Sequence, residues 1–357
     1  MSKKLKTAVV GVGNIGQSAH LPSYDSIKDT KLTAICDIDE ERLQKIADQY
    51  GIDATHTYTD YQEMYAEEDL DAVSICTPTW AHYEQTIDAL KAGFHVICEK
   101  PTGMKTEEVV EMAETAEKND KVFAIGFNNR FRLQAQTLKK HINKDKLGDI
   151  YYAKSGWLRR RGNPHGWFTK KELSGGGPLI DCGVHALDLT WWFMGCPQPV
   201  SVTASTYQKF GNYDVEGIGQ YWAMSGNEEG VFDTEDLATA FIKFDNGATM
   251  VFDVSWAING KDTGIYSKVY GEKAGANFSP LEFYGEIDNN IMDFQPKLNK
   301  DINAQKEKVV NFVKNIKGEE ELLCPGRQSI ALTQIVDAIY ESGKTGEMVE
   351  IDPIPYE

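Results

Sequence analysis

Short apolar runs alternate with amphipathic stretches through the first third of the chain. Residues 6–13 (KTAVVGVG), 31–37 (KLTAICD), 71–78 (DAVSICTP), 94–101 (FHVICEKP) and 122–127 (VFAIGF) read as strands. Their apolar residues run on without alternation, as expected of strands covered on both faces. Residues 14–27, 39–51, 80–93 and 105–120 read as the helices between them, the second closed by Gly51. Alternation of this kind predicts a parallel, doubly wound sheet.

Past about residue 128 the rhythm changes. Residues 149–160, 198–208, 236–247, 248–258 and 264–272 alternate in polarity and are rich in β-branched and aromatic residues, with turn signals such as DNG. Consecutive strands without intervening helices predict a largely antiparallel sheet. Residues 303–318 and 327–343 read as helices. The fold class is therefore α/β, with one domain over 1–127 and a second over 128–357. The C-terminal helix is placed as able to pack back on the first domain.

One helix of the second domain is unusual. In residues 173–189 (LSGGGPLIDCGVHALDL), three glycines precede Pro178, which suits a first helical turn. Ile180, Val184, Leu187, Trp191 and Met194 recur at helical spacing and predict one buried stripe. Asp181, His185 and Asp188 follow one position later, at the edge of that face. Three readings fit: a half-buried polar stripe, an Asp–His metal pair, or a catalytic surface. The glycines would leave a side-chain-free approach for a ligand.

Composition narrows the function classes. A chain of 357 residues suits two domains. Lys and Arg number 37 against 54 Asp and Glu, a net charge of −17 that argues against nucleic acid as a partner. No apolar run approaches the roughly 20 residues of a membrane helix, and the N-terminus reads as mature protein. The six cysteines form no C-x-x-C pair, which points to reduced thiols, a cytoplasmic location and no metal site.

The clearest chemistry is VVGVGNIG. Gly11 would allow a tight turn, Gly13 a close backbone approach to a pyrophosphate, and Gly16 close packing of helix on strand. Asp37 ends the second strand where a ribose-binding acid belongs. Its carboxylate can accept from both ribose hydroxyls and would repel a 2′-phosphate, which favours NAD over NADP, with Arg42 as the one nearby cation. Another nucleotide or S-adenosylmethionine remains the alternative ligand. Thr77, Pro78, Glu99 and Lys100 end later strands, where ligands lie in such sheets. Cys36, Cys76 and Cys98 read as packing residues. Lys100 is either a surface lysine or an acid–base group whose pKa is lowered by low-dielectric walls.

Taken in order, Gly11-x-Gly13-x-x-Gly16, Glu99-Lys100-Pro101 and Gly175-Gly176-Gly177-x-x-x-Asp181-x-Gly183-x-His185 resemble the Gfo/Idh/MocA oxidoreductases over essentially the whole chain. The resemblance implies an N-terminal Rossmann dinucleotide-binding domain and a C-terminal α/β domain with an open, predominantly antiparallel sheet that mediates homodimers or homotetramers. It implies an NAD-dependent dehydrogenase that oxidises a hydroxyl of a sugar, an inositol-like polyol or a sugar derivative. Lys100, Asp181 and His185 would be its catalytic set. His185 would take the hydroxyl proton, Lys100 would stabilise the developing alkoxide, and Asp181 would orient His185. Asn14, Ile15, Ile38, Arg42 and His82 join the glycines, Asp37 and the strand-end residues as cofactor contacts. Asp188 falls outside the motif and is expected to be structural.

The segment 157–171 (WLRRRGNPHGWFTKK) is basic and aromatic in an acidic chain. It could border a substrate pocket, with Asn128, His165 and Trp167 as candidate contacts. Most of Arg159–Arg161 is expected to contact another subunit or the first domain. A glycosidase that uses NAD transiently and a non-enzymatic NAD-binding sensor stay open as alternatives.

Overall fold

The computed structural model describes residues 4–211 and 231–355. The chain forms two compact units, Met1–Asn128 with Asn303–Ile330, and Asn129–Ile302 with Ala331–Tyr356. The first is built on six parallel strands: β1 (Leu5–Val10), β2 (Thr30–Cys36), β3 (Thr57–Tyr58), β4 (Ala72–Ile75), β5 (His95–Cys98) and β6 (Phe123–Ile125). Their order is β3-β2-β1-β4-β5-β6, the doubly wound arrangement that the strand–helix alternation predicts. Ala8, Val9, Ala72, Val73 and Val96 are wholly buried, as unbroken apolar strands require. The helix Glu40–Tyr50 starts where the Asp39 side chain accepts from Arg42 N and ends at Gly51 in the left-handed region, φ 67°.

The second expected domain, 128–357, is interrupted, because Asn303–Ile330 belong with the first unit. Val309, Phe312 and Val313 of the helix Ala304–Ile316 complete the apolar clusters around Val9, Leu21 and Ile35 and around Ala72 and Ile97. Burial of each stabilises by about 2 kcal/mol. Ile125 N then donates to Cys324 O at 3.0 Å, and Pro325 bridges Ala124, which covers the open edge of β6. The helix Ala304–Ile316 is thus part of the first unit's core, and most of the C-terminal helix Ser329–Thr345 belongs to the second unit.

The second unit carries a nine-stranded sheet. Its strands are β7 (Ile150–Leu158), β8 (Pro199–Tyr207), β9 (Leu237–Phe244), β10 (Thr249–Ser255), β11 (Gly264–Gly271), β12 (Gly275–Asn277), β13 (Glu282–Ile287), β14 (Asn290–Phe294) and β15 (Val349–Glu350). In the order β14-β13-β12-β11-β7-β10-β9-β8-β15, all neighbours are antiparallel except β7 with β10. Met250, Phe252 and Val254 point to the buried face. That face carries the helix Val184–Phe193, where Thr190 Oγ1 lies 2.9 Å from Ser155 Oγ and 2.7 Å from Ser267 Oγ. The opposite face, with Tyr152, Asp253, Tyr266 and Tyr270, is only partly covered within the chain.

This helix is not amphipathic. The expected stripe is buried, but so are Ala186, Asp188, Leu189, Trp192 and Phe193. A helix apolar all round is an enclosed one. A π-helical turn, Leu179–Gly183, precedes it and breaks the 100° step between Asp181 and His185. Asp181, at 4% exposure, and Asp188, at 0% within the enclosed helix, lie deeper than the edge of the buried face. His185 alone of the three is half-buried. Among the described residues, no helix is long and apolar enough to cross a membrane.

Candidate active site

Each of the three loop glycines has its own constraint. Gly11 has φ 87°, and a Cβ there would stand 2.7 Å from Cys76 C and 2.8 Å from Thr77 N. A Cβ on Gly16 would overlap Gly11 O. At Gly13 nothing lies within 4 Å of that position, so the backbone faces open space. Asn14 and Ile15 are half-buried at the start of the helical turn, which continues through the π-helical Gly16–His20 into Leu21–Ser26. Exposed backbone at a helix start suits a pyrophosphate, so the residues present fit a dinucleotide.

Asp37 ties this loop down. Its Oδ2 accepts from Val12 N at 2.9 Å, and its Oδ1 accepts from Asp39 N at 3.1 Å and Arg42 Nη1 at 2.9 Å. A carboxylate offers about four acceptor sites, so roughly one remains for a ribose hydroxyl, not the two that the sequence suggests. Arg42 also pairs with Asp39 at 2.8 Å. Ile38, next along the chain, is 89% exposed, an apolar surface suited to a base.

At the ends of β4 and β5, Thr77, Pro78 and Lys100 are half-buried, and Thr77 Oγ1 donates to Gln85 Oε1 at 2.6 Å. His82 and Glu99 do not fit the expectation of cofactor contacts. His82 is 1% exposed, with Nδ1 2.7 Å from Pro101 O and Nε2 2.8 Å from Thr77 O. As a neutral imidazole it donates to one of these two carbonyls. Burial lowers its pKa, against the pull of the two carbonyls. The Glu99 carboxylate is buried among His20, Lys308 and the Lys100 amide. Asn128 is half-buried at the start of the short turn Asn128–Phe131.

In the second unit, Asp181 Oδ2 accepts from Arg159 Nη1 at 3.0 Å and Trp256 Nε1 at 2.9 Å. The Arg159 guanidinium lies 5.3 Å from the Trp157 ring, and that ring lies 5.8 Å from the His185 imidazole. Arg161 donates to Ile258 O at 3.2 Å and Asn259 Oδ1 at 2.8 Å. Both arginines thus have acceptors within their own unit. His165 adopts φ 59°, a backbone region costly for a residue with a side chain. Trp167 stacks on Phe168 with centroids 3.9 Å apart, leaving one indole face uncovered by that partner.

The glycines before the helix make room for protein, not for a ligand. Gly175 turns the chain at φ 83°. A Cβ on Gly176 would overlap the Tyr340 hydroxyl, and one on Gly177 would overlap Glu235 O. Glu235 is the cap of this helix start: it accepts from Gly177 N at 3.0 Å, Leu179 N at 3.2 Å and Tyr340 Oη at 3.0 Å. Burial raises its pKa, and these donors oppose the rise. Asp188 is a structural partner: Arg130 Nε contacts both its oxygens at 3.0 and 3.1 Å. No local spacing signals His20, Glu235, Trp256 or Tyr340. Lys308 has one signal, a charge beside Val309 on a buried stripe. Among the described residues, no group of three or more His, Cys, Asp or Glu could hold a metal ion.

An oxidoreductase family with an NAD-binding Rossmann fold matches residues 5–127, and the GFO/IDH/MocA C-terminal domain matches residues 135–277. D-glucoside 3-dehydrogenase of Escherichia coli K12 is 35% identical over 353 residues, 98% of each chain. Myo-inositol 2-dehydrogenase of Thermotoga maritima is 28% identical over 271 residues, 75% of this chain and 73% of that one. Levoglucosan dehydrogenase, solved with NADH and L-sorbose, superposes with a TM-score of 0.86 at 20% identity, covering 99% of this chain and 100% of the other. Aldose-aldose oxidoreductase from Caulobacter crescentus, complexed with glycerol, gives 0.81 at 22%, covering 98% and 100%. At such identities the structural likeness establishes the fold.

Proposed function

We propose, because the chain belongs to the GFO/IDH/MocA oxidoreductase family, that it oxidises a hydroxyl of a glucoside or related cyclic polyol with NAD. The observation that carries this reading is the whole-length likeness to D-glucoside 3-dehydrogenase. Gly11, Gly13 and the turn at Asn14 and Ile15 would hold the pyrophosphate, with Asp37 on a ribose hydroxyl and Ile38 against the base. When bound, NAD supplies the acceptor for a hydride.

The chain's own residues handle the proton and the charge. His185 takes the hydroxyl proton, and Lys100 stabilises the alkoxide that develops. Asp181 orients His185. Arg159 shares the Asp181 charge and moderates how strongly that carboxylate favours an imidazolium. Asn128, His165 and Trp167 are proposed substrate contacts. NAD is preferred over NADP, although the Asp37 charge that would repel a 2′-phosphate is partly neutralised by Arg42.

The open sheet face supports a homodimer or homotetramer. Tyr152 and Tyr270 stack there with centroids 5.4 Å apart, and Phe241 is 40% exposed. Light scattering on the wild type and on Phe241→Glu tests this, with a smaller particle expected for the variant. A cytoplasmic setting is proposed from the six scattered cysteines, which form no C-x-x-C pair. The catalytic assignment is tested by Lys100→Ala, which should keep the NAD dissociation constant within about threefold and lose turnover. Near-normal NADH formation across glucosides, inositols and uronates would overturn it.

A further inference from the structure

Glu99 is the centre of a buried polar chain assembled from four separate stretches of sequence. Its Oε1 accepts from His20 Nε2 at 2.9 Å and from Lys308 Nζ, and its Oε2 accepts from Lys100 N at 3.3 Å. His20 Nδ1 lies 2.8 Å from Ser74 Oγ, which lies 2.7 Å from Tyr24 Oη. His20, Ser74, Tyr24, Glu99 and Lys308 are all more than nine-tenths buried. Gly126 leaves the space for the carboxylate, since a Cβ there would stand 2.5 Å from Oε1 and 2.8 Å from Oε2.

A buried ammonium is costly unless paired, and Lys308 enters the core beside Val309 with Glu99 as its counter-charge. We propose that Lys308 is a positioning residue: it holds Glu99 in place, and Glu99 fixes the backbone amide of Lys100. This role rests on the reading of Lys100 as catalytic. Burial alone would raise the Glu99 carboxyl, but the Lys308 charge and the His20 hydrogen bond outweigh it and hold it below the ordinary carboxylate range. Burial lowers His20 and raises Tyr24, Cys76 and Cys98, so the imidazole, phenol and thiols around Glu99 stay neutral.

The test uses the full chain in three variants: Lys308→Met, the double variant Glu99→Leu with Lys308→Met, and Lys100→Ala. Lys308→Met should speed hydrogen exchange of the Lys100 amide by about tenfold or more. With NAD and methyl D-glucoside it should lower kcat by about tenfold while KM stays within about threefold. The double variant removes both charges and should recover melting temperature, yet exchange stays fast and kcat low, because the Lys100 amide still lacks its acceptor. Unchanged exchange in Lys308→Met, or recovery of exchange and turnover together with stability in the double variant, overturns the proposal. If Lys308→Met fails to fold, the double variant decides alone. A fully active Lys100→Ala instead overturns the catalytic reading, whatever Lys308→Met does.

Discussion

Arg159 and Asp181, 22 residues apart in sequence, form an ion pair with Nη1 3.0 Å from Oδ2. Asp181 is 4% exposed, and Gly162 makes room for the arginine, since a Cβ there would stand 2.5 Å from Arg159 Cδ. The same guanidinium lies over Trp157, the ring neighbour of His185. Arg159 therefore fixes both the carboxylate and the aromatic wall of the proposed base. Arg159→Met leaves a buried carboxylate short of its counter-charge, at a cost of about 3–5 kcal/mol. Turnover should fall by about tenfold or more through misplacement of Asp181. Arg159→Lys keeps the charge without the planar fork and should fall between. Thermal melts and NADH formation measure the two effects, and unchanged turnover in Arg159→Met would separate Arg159 from the chemistry.

The cofactor prediction follows from the shared Asp37 carboxylate. Asp37→Ala removes an acceptor for ribose and the anchor of Val12 N, and it releases Arg42 from one of its two carboxylates. NAD affinity should drop by about tenfold, roughly the worth of one charge-assisted hydrogen bond. NADP affinity should rise, because Arg42 becomes available to a 2′-phosphate. Adding Arg42→Ala should abolish the gain in NADP while leaving the NAD loss. Fluorescence titrations of both cofactors check this, and a wild type that already prefers NADP would refute the reading of Asp37.

Local pattern made the first unit legible because its strands are buried on both faces and its helices carry their own stops, as at Gly51. In the second unit, strands with one buried and one open face, as in β9 and β10, were readable, while β12, β13 and β15 were not marked. Strand β14 was not, because all five of its residues are exposed and no polarity pattern marks it. The site was half legible. Gly11, Gly13, Gly16 and Asp37 lie within one loop and its neighbouring strand, so spacing brings them together. The Glu99–Lys308 pair spans 209 residues and the Asp181–Trp256 bond spans 75, so no local period reports either. Gly176 and Gly177 suggested an opening for a ligand because the groups that fill it, Tyr340 and Glu235, come from distant sequence. The π-turn over Leu179–Gly183 defeats a helical wheel that assumes one step throughout.

Arg130 and Asp188 define a stability prediction apart from the chemistry. The pair is 1% and 0% exposed, with Nη2 2.6 Å from Oδ1, and the guanidinium lies 5.6 Å from the Trp192 ring. Burial pushes the Asp188 carboxyl up, and Arg130 opposes that. Asp188→Asn should destabilise by about 3–5 kcal/mol because a buried guanidinium loses its partner. Replacing both, by Arg130→Met with Asp188→Leu, should recover much of that loss. Turnover per folded molecule should stay near wild type in both variants. Denaturant titration together with activity at low temperature distinguishes this from a role in catalysis.

The buried imidazoles set an acid limb on stability. Burial lowers the pKa of His20 and of His82 below the ordinary 6.5, in spite of the acceptors beside them. Above about pH 6.5 both residues are neutral folded or unfolded, and they contribute no slope. Below it, the unfolded chain binds a proton at each residue that the folded chain does not take up until a lower pH. Stability conferred by their neutral forms is thus fully present above the unfolded pKa and is lost as pH falls through it toward the folded pKa. The loss approaches about 1.4 kcal/mol per pH unit for each histidine. Urea unfolding at about pH 7.5, 6.5 and 5.5 should show this decline. His82→Gln should be less stable at the highest pH, where the buried imidazole's hydrogen bond to a backbone carbonyl is lost, yet decline more shallowly. A stability independent of pH over that range would mean that both imidazoles take up protons inside the fold.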